Sequence, residues 1–424
     1  MKKSLFAVAA MSAIAGAAQA QSSVTVYGLL DMGYVGANAK AVASTGVVTK
    51  TTLSQFGQSQ ENTSRLGFRG TEDLGGGASA FFTVEMGLTP QNPAFGGGTA
   101  ADAFQKTDQN AGSSIDNRQS FVGLKKTGLG QFALGRQYTP IFNAGAATDA
   151  GQYANVAGNV IYQSPGIAGD ANGGNQGGVG FTNRASNALT AKSDTFAGFS
   201  VSGMYALNNA NQTQTTSSTA GGNTNWNGWG LSADYTWQKL YATVAYQSFK
   251  TQYTNAVYSS AGATNLGTTG SGGQLPVADK LFNPSLISDK QTYAAATYDF
   301  GILKAYIQWI GRKVQNDTSF STTYAGEQLN RNAQQLGVRS FIAPTIESWA
   351  SIGSGKVKGA PLSATASAAY VNFVGWQLGS NYYLSKRTNL YAIYGQSQST
   401  SGTAGTAGSG ASINQYTVGV RHTF

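Results

Sequence analysis

The chain has no cysteine and one histidine, His422, in 424 residues. Without thiols it can form no disulfide staples, thiol redox couple or thiolate metal site. A lone histidine removes most imidazole catalysis and metal ligation, and His422, on an apolar face beside the chain end, reads as an interfacial side chain. Charge is also scarce, at 11% of residues, with 27 Lys plus Arg against 18 Asp plus Glu. No dense basic run or recognition-helix pattern accompanies that excess, so nucleic acid is not the expected partner. Past the first residues, no window holds the roughly 18 consecutive apolar residues of a membrane helix. That absence does not argue for a water-soluble protein, because a barrel strand meets lipid on one face only and every second residue is free to be polar.

Glycine and aromatics are plentiful: 56 Gly, 21 Tyr and 20 Phe. Lys2 and Lys3, an apolar stretch from Leu5 to Ala18, and Ala18-Gln19-Ala20 read as an export signal over residues 1–20, with the mature chain beginning at Gln21. From there the chain divides into about sixteen short segments of alternating polarity, an even number as single-chain bacterial barrels have. In Ser23 to Tyr34, for example, Val24, Val26, Leu30, Met32 and Tyr34 share one face while Thr25, Tyr27 and Asp31 share the other. Period two with a nearly continuous apolar face marks a strand lying against something greasy.

Connections between segments are alternately long and tight. Val35 to Thr63, Gln91 to Asp116 and Gln252 to Asp289 are long and polar; Leu74 to Gly77, Gly128 to Gly130, Gln238-Lys239 and Ser385 to Arg387 are turns. Short periplasmic turns and long extracellular loops have this asymmetry in a transmembrane β-barrel, whereas a soluble sandwich or propeller has no reason for it. Aromatics near strand ends, including Trp229, Trp237, Tyr382 and Tyr416, suit interfacial belts. The expected fold is therefore all-β: a sixteen-stranded antiparallel transmembrane β-barrel over residues 21–424 in the cell outer membrane.

The segments QSSVTVYGLLDM (21–32), SRLGFRGTEDLGGG (64–77), FALGRQ (132–137), LSKRTNLY (384–391) and VGVRHTF (418–424) resemble the general trimeric porins of β-proteobacteria. The resemblance implies a homotrimer, a third loop folded into the pore, and passive diffusion of small ions with anion preference. An enzyme in the barrel would need an activated nucleophile, and with His422 at the chain end as the only histidine no enzyme activity and no cofactor are expected. Phe424, preceded by alternating apolar residues, resembles the signal read by barrel insertion machinery; outer-membrane lipids and lipopolysaccharide are the other expected partners. A surface-exposed binding or adhesion barrel with a closed lumen is the competing reading.

In such a pore, function is size exclusion plus an electrostatic profile set by inward-facing charge. Strand parity places Arg65, Arg69, Asp31, Glu85, Lys304, Arg312 and Arg339 opposite apolar neighbours and so toward the lumen. Arg136 shares the parity of Phe132 and Leu134, and a bulge, a height above the bilayer or a subunit interface would each accommodate it. The third loop spans 139–182 and has two acids, Asp149 and Asp170. One or both are expected to oppose Arg65 and Arg69 at the constriction. Gly75-Gly76-Gly77 reads as a hairpin turn, since no helix follows to cradle a phosphate.

Overall fold

The computed structural model describes residues 23–90, 116–162, 184–212, 222–253, 285–316, 328–359, 370–402 and 408–424. The export signal and Asp170 lie outside the described residues. Strands follow as β1 Ser23–Val42, β2 Val48–Gln58, β3 Arg65–Gly75, β4 Ala78–Gly87, β5 Asp116–Lys126 and β6 Gly130–Tyr138. A helix, α1 Pro140–Thr148, precedes β7 Arg184–Ser193, β8 Phe199–Gln212, β9 Gly222–Trp237, β10 Leu240–Tyr253 and β11 Ser285–Asp299. The rest are β12 Lys304–Asn316, β13 Gln328–Ala343, β14 Ile346–Gly359, β15 Tyr370–Tyr383, β16 Thr388–Gly402 and β17 Ser409–Thr423.

Consecutive strands from β3 to β17 pair antiparallel, and β1 pairs with both β17 and β3, so the sheet closes into a 16-strand barrel. Closure leaves no free edge within the ring, the condition for a sheet to sit in lipid. Parity sorts the two faces as the sequence pattern requires. Ile307, Leu336, Ile352 and Leu378 are exposed on the outside, while Gln308, Gln335, Ser351 and Gln377 beside them are buried inside.

The tight turns use backbone conformations that glycine tolerates. Gly75, Gly76 and Gly77 all have positive φ, and the Asp73 carboxylate accepts the Gly75 N–H at 2.9 Å. At the opposite end, β8 to β17 run two to six residues further than the alternating apolar pattern alone marks, because hairpins can continue above a bilayer without apolar side chains. The largest difference falls in Val35 to Thr63, expected as a loop. There β1 continues to Val42 with Val35, Ala37 and Ala39 buried, and β2 returns along it.

β2 and β3 share one place in the ring. Met32 pairs with Gln58 and Leu29 with Arg65, so residues 59–64 drop out of the ladder. Asp31 holds this break. Its Oδ2 accepts the N–H groups of Glu61 and Asn62 at 2.8 and 2.7 Å, and its own N–H donates to Ser64 Oγ at 3.0 Å.

At the seam between β1 and the chain end, the Gly28 and Phe424 backbones exchange two hydrogen bonds of 3.0 and 3.1 Å. A Cβ on Gly28 would lie 2.3 Å from the Phe424 ring and 2.9 Å from the Arg65 carbonyl oxygen. Gly28→Val should therefore weaken the barrel by about 2 kcal/mol, the usual cost of overpacking. Urea unfolding in lipid vesicles is the check, with Gly410→Ala, whose Cβ would meet only the Ser399 carbonyl oxygen at 3.6 Å, as the mild comparison.

Candidate functional site

The connection after β6 does not leave the barrel. Thr139 caps α1, its Oγ1 accepting the Phe142 N–H at 3.2 Å, and Pro140 occupies the first turn, where a missing N–H costs nothing. The helix packs along the inner wall of β9–β12, where Ile141 is fully buried with Tyr293 and Ile310. Thr148 and Tyr293 hydroxyls meet at 2.6 Å.

From Asp149 to Tyr162 the chain is irregular, and its backbone groups need partners inside the barrel. The wall provides them with side-chain amides. Gln335 Oε1 accepts the Val160 N–H at 3.0 Å, Gln415 Oε1 accepts the Ala157 N–H at 3.0 Å, and Gln377 Nε2 donates to the Val156 carbonyl at 2.5 Å. Arg339 donates to the Ala150 carbonyl at 2.7 Å, and Arg331 donates to the Val160 carbonyl. Asn155 ties the loop to the inward break, its N–H donating to the Gln60 carbonyl at 2.8 Å and its amide to the Ser59 carbonyl at 2.6 Å. Close approach of two backbones needs glycine on the wall: a Cβ on Gly395 would lie 1.7 Å from the Ala157 carbonyl oxygen.

The loop thus covers the inner wall from β9 round to β17. Across from it, β3–β7 carry a basic cluster around Glu85. Glu85 accepts from Arg118 Nε at 2.8 Å and Tyr27 OH at 3.1 Å, and Arg65 lies 3.9 Å away. Arg118 donates to Tyr138 OH at 2.6 Å, and the Arg184 guanidinium lies over the Tyr138 ring, 5.4 Å from its centroid and within cation–π reach. Tyr138 in turn stacks on Phe142, which adjoins Tyr153. Two guanidinium groups, Arg65 and Arg118, thus face Glu85, and a third, Arg184, is joined to them through Tyr138.

The residues expected from parity divide as follows. Arg65 is half-buried beside Glu85, and Arg69 is exposed with its guanidinium 5.3 Å from the Tyr27 ring centroid. Lys304 sits over the Tyr306 ring at 5.3 Å, on the inward parity of buried Gln308. Arg312 pairs with Asp289 at 2.5 Å and Arg339 with Glu347 at 2.6 Å. Asp31 and Glu85 point inward but are 0% and 3% exposed, so both hold structure and neither meets water freely.

Two expectations need correction. Asp149 does not oppose Arg65 and Arg69: it is 2% exposed and accepts from the Tyr153 N–H, Asn159 Nδ2 and Gln335 Nε2 at 2.8, 3.0 and 2.9 Å. Burial pushes its carboxyl above the ordinary value while those bonds hold it down, and it serves to fold the loop. A bulge does adjoin Arg136, but the extra residue is on β7, where Gly135 and Gln137 pair with Ala188 and Ala185. Arg136 keeps the parity of exposed Phe132 and Leu134, and donates to the Asn117 carbonyl at 2.7 Å and Ser186 Oγ at 2.8 Å.

Parity alone hides Arg118, because its strand position matches lipid-facing Val122 and Leu124. A register shift between Glu85 and Met86 places the extra residue there and turns it inward. The three glutamines were visible as inward polar residues on their strands, yet nothing in the sequence says which loop they meet.

A closed barrel with an exposed apolar outside, a polar inside and a loop seated in its lumen defines a transmembrane β-barrel of the pore type. The family model described as Gram-negative porin matches residues 7–403, and the chain belongs to that family, whose place is the outer membrane. An outer membrane porin protein of Bordetella pertussis is 38% identical over 144 residues, 32% of this chain and 34% of that protein. The match therefore spans about a third of the length of the curated relatives. The anion-selective porin from Comamonas acidovorans shares the fold, with a TM-score of 0.60 and 22% identity over 95% of this chain and 100% of that one. OmpT of Vibrio cholerae, solved in a trimer form, has a TM-score of 0.53 at 13% identity over 95% of this chain and 99% of that one. Family and fold point to a channel and not to an enzyme.

Two outcomes follow from this geometry. Arg118→Ala leaves buried Glu85 with the Tyr27 hydroxyl and, as its cation, only the longer Arg65 contact, and should destabilise the barrel by about 3 kcal/mol, read by urea unfolding in vesicles. Gly395→Val must push Ala157 off the wall, so single-channel conductance should change while the strand content by circular dichroism stays constant.

Proposed function

We propose that the protein is a general porin: a passive diffusion channel for small hydrophilic solutes and ions that prefers anions and works as a homotrimer. The observation that carries the reading is the inner wall across from the loop, where half-buried Arg65 and exposed Arg69 stand in front of the buried Arg118 and Arg184, with Glu85 pairing with Arg118 and lying near Arg65. Arg69, exposed four residues further along β3, extends the positive strip toward the turn end. Within a narrow, low-dielectric lumen such a strip lowers the energy of a passing anion and raises that of a cation. The loop, rich in apolar and aromatic contacts on its seated side, sets the width. Membership of the porin family and the anion-selective porin that shares the fold support the same reading, and the trimeric neighbour supports the assembly. A sealed adhesion barrel would have no use for that positive strip.

Planar-bilayer recording with purified protein tests the proposal. Stepwise conductance with an anion-biased reversal potential is expected; absence of steps would remove the channel. Arg65→Gln with Arg69→Glu should shift the reversal potential toward cations and leave the oligomer intact. Arg65→Glu is avoided because it would set a second carboxylate against Glu85. Unchanged selectivity would take both arginines out of the conduction path.

A further inference from the structure

The outer surface carries a row of charge that ion conduction does not need. On β11, β12 and β14, Lys290, Lys313 and Lys358 stand on the outward parity of Tyr298, Trp309 and Ile352, and all three are exposed. The register joins them into one line: Lys290 pairs with Lys313, Lys313 with Asn330, and Asn330 with Lys358. Lys356 adds a fourth charge one row nearer the apolar belt, its Nζ 5.0 Å from the Tyr370 ring centroid.

Lysines directly opposite on neighbouring strands have Cβ atoms roughly 5 Å apart and repel each other. No described carboxylate relieves them. On these strands Asp289 and Glu347 point inward into ion pairs, and Asp299 lies at the far end of β11. A repulsive row kept on a surface implies an anion supplied from outside.

Its height identifies the source. Trp309 and Val374 belong to the last row of the exposed apolar band on these strands. Lys356 lies one row above and Lys313 two, about 7 and 13 Å along the strands. All are at the end with the long connections. Immediately above the hydrocarbon the groups within reach are lipid headgroups, and amide side chains such as Asn330 can add hydrogen bonds to the same oxygens.

We propose that Lys290, Lys313, Lys356 and Lys358 form a docking site for the phosphate groups of an anionic glycolipid in the surrounding leaflet. The site rests on the outer-membrane placement and is independent of conductance. A lysine row replaces the divalent cations that otherwise bridge such phosphates, and so it attaches a ring of lipid to the β11–β14 side of the barrel.

Native mass spectrometry of the purified full-length oligomer is the test. It uses a diphosphorylated hexa-acyl glucosamine disaccharide lipid and the same lipid after phosphatase treatment as probes. The wild type should retain the phosphorylated form preferentially. Replacing Lys290, Lys313 and Lys358 with Gln should weaken that retention about a hundredfold at low salt, from roughly one lysine's surface attraction removed three times. Conductance of the variant serves as the folding control and should be unchanged. Equal retention by variant and wild type, or equal retention of the dephosphorylated lipid, would overturn the site. A variant whose oligomer dissociates with lipid retention intact would make the row a contact between copies, and also overturn it.

Discussion

A segment that abandons regular structure inside a barrel leaves its peptide groups in a space with little free water, and each needs a partner. The rest of the pore depends on how this chain meets that need. Gln335, Gln377 and Gln415 on β13, β15 and β17 reach the backbone of Val156 to Val160, while Arg331 and Arg339 take two further carbonyls. Amides suit the task because each can donate or accept without bringing charge into the seat. Asp149 then folds the loop on itself, and its accepted N–H from Tyr153 holds Gln152 and Tyr153 in left-handed conformations at φ 53 and 59°. Such backbone is costly for non-glycine residues and persists only where its surroundings fix it.

Seating the loop on one side determines what the other side can do. With β9–β17 covered, the open wall is the one bearing the arginines and Glu85. Asp31 links the two halves: it holds the inward break at 59–64 and accepts from Tyr391 OH at 2.5 Å, while the break itself grips Asn155 of the loop. Glu61 within the break pairs with Arg421 at 3.4 Å, so the charge there is balanced. Acids that sequence parity puts in the lumen are thus spent on structure, and the arginines near Glu85 remain in excess.

Much of the barrel was legible in the sequence because period-two alternation reports directly which face meets lipid, and Gly-rich turns mark where strands reverse. Ser23 to Tyr34 was read correctly but too short, since β1 continues on small residues, Ala37 and Ala39, that carry weak apolar signal. Charges on unbroken strands, such as Arg312 and Arg339, took their expected face. Where a strand breaks or bulges, the two-residue rule fails by one step: it missed Arg118. Asp149 was misplaced for a different reason, because the partners of a loop carboxylate are set by strands nearly two hundred residues away, such as Gln335. No local pattern encodes that pairing.

The central claim is that the loop seated in the lumen sets the open cross-section while the opposite basic wall sets its sign. Single-channel conductance and reversal potential, recorded together on a chain from which residues 150–160 have been deleted, test it most directly. The account predicts larger conductance steps and a weaker anion bias, since the basic wall would then face a wider, more hydrated lumen. Steps of wild-type size with wild-type selectivity would contradict it.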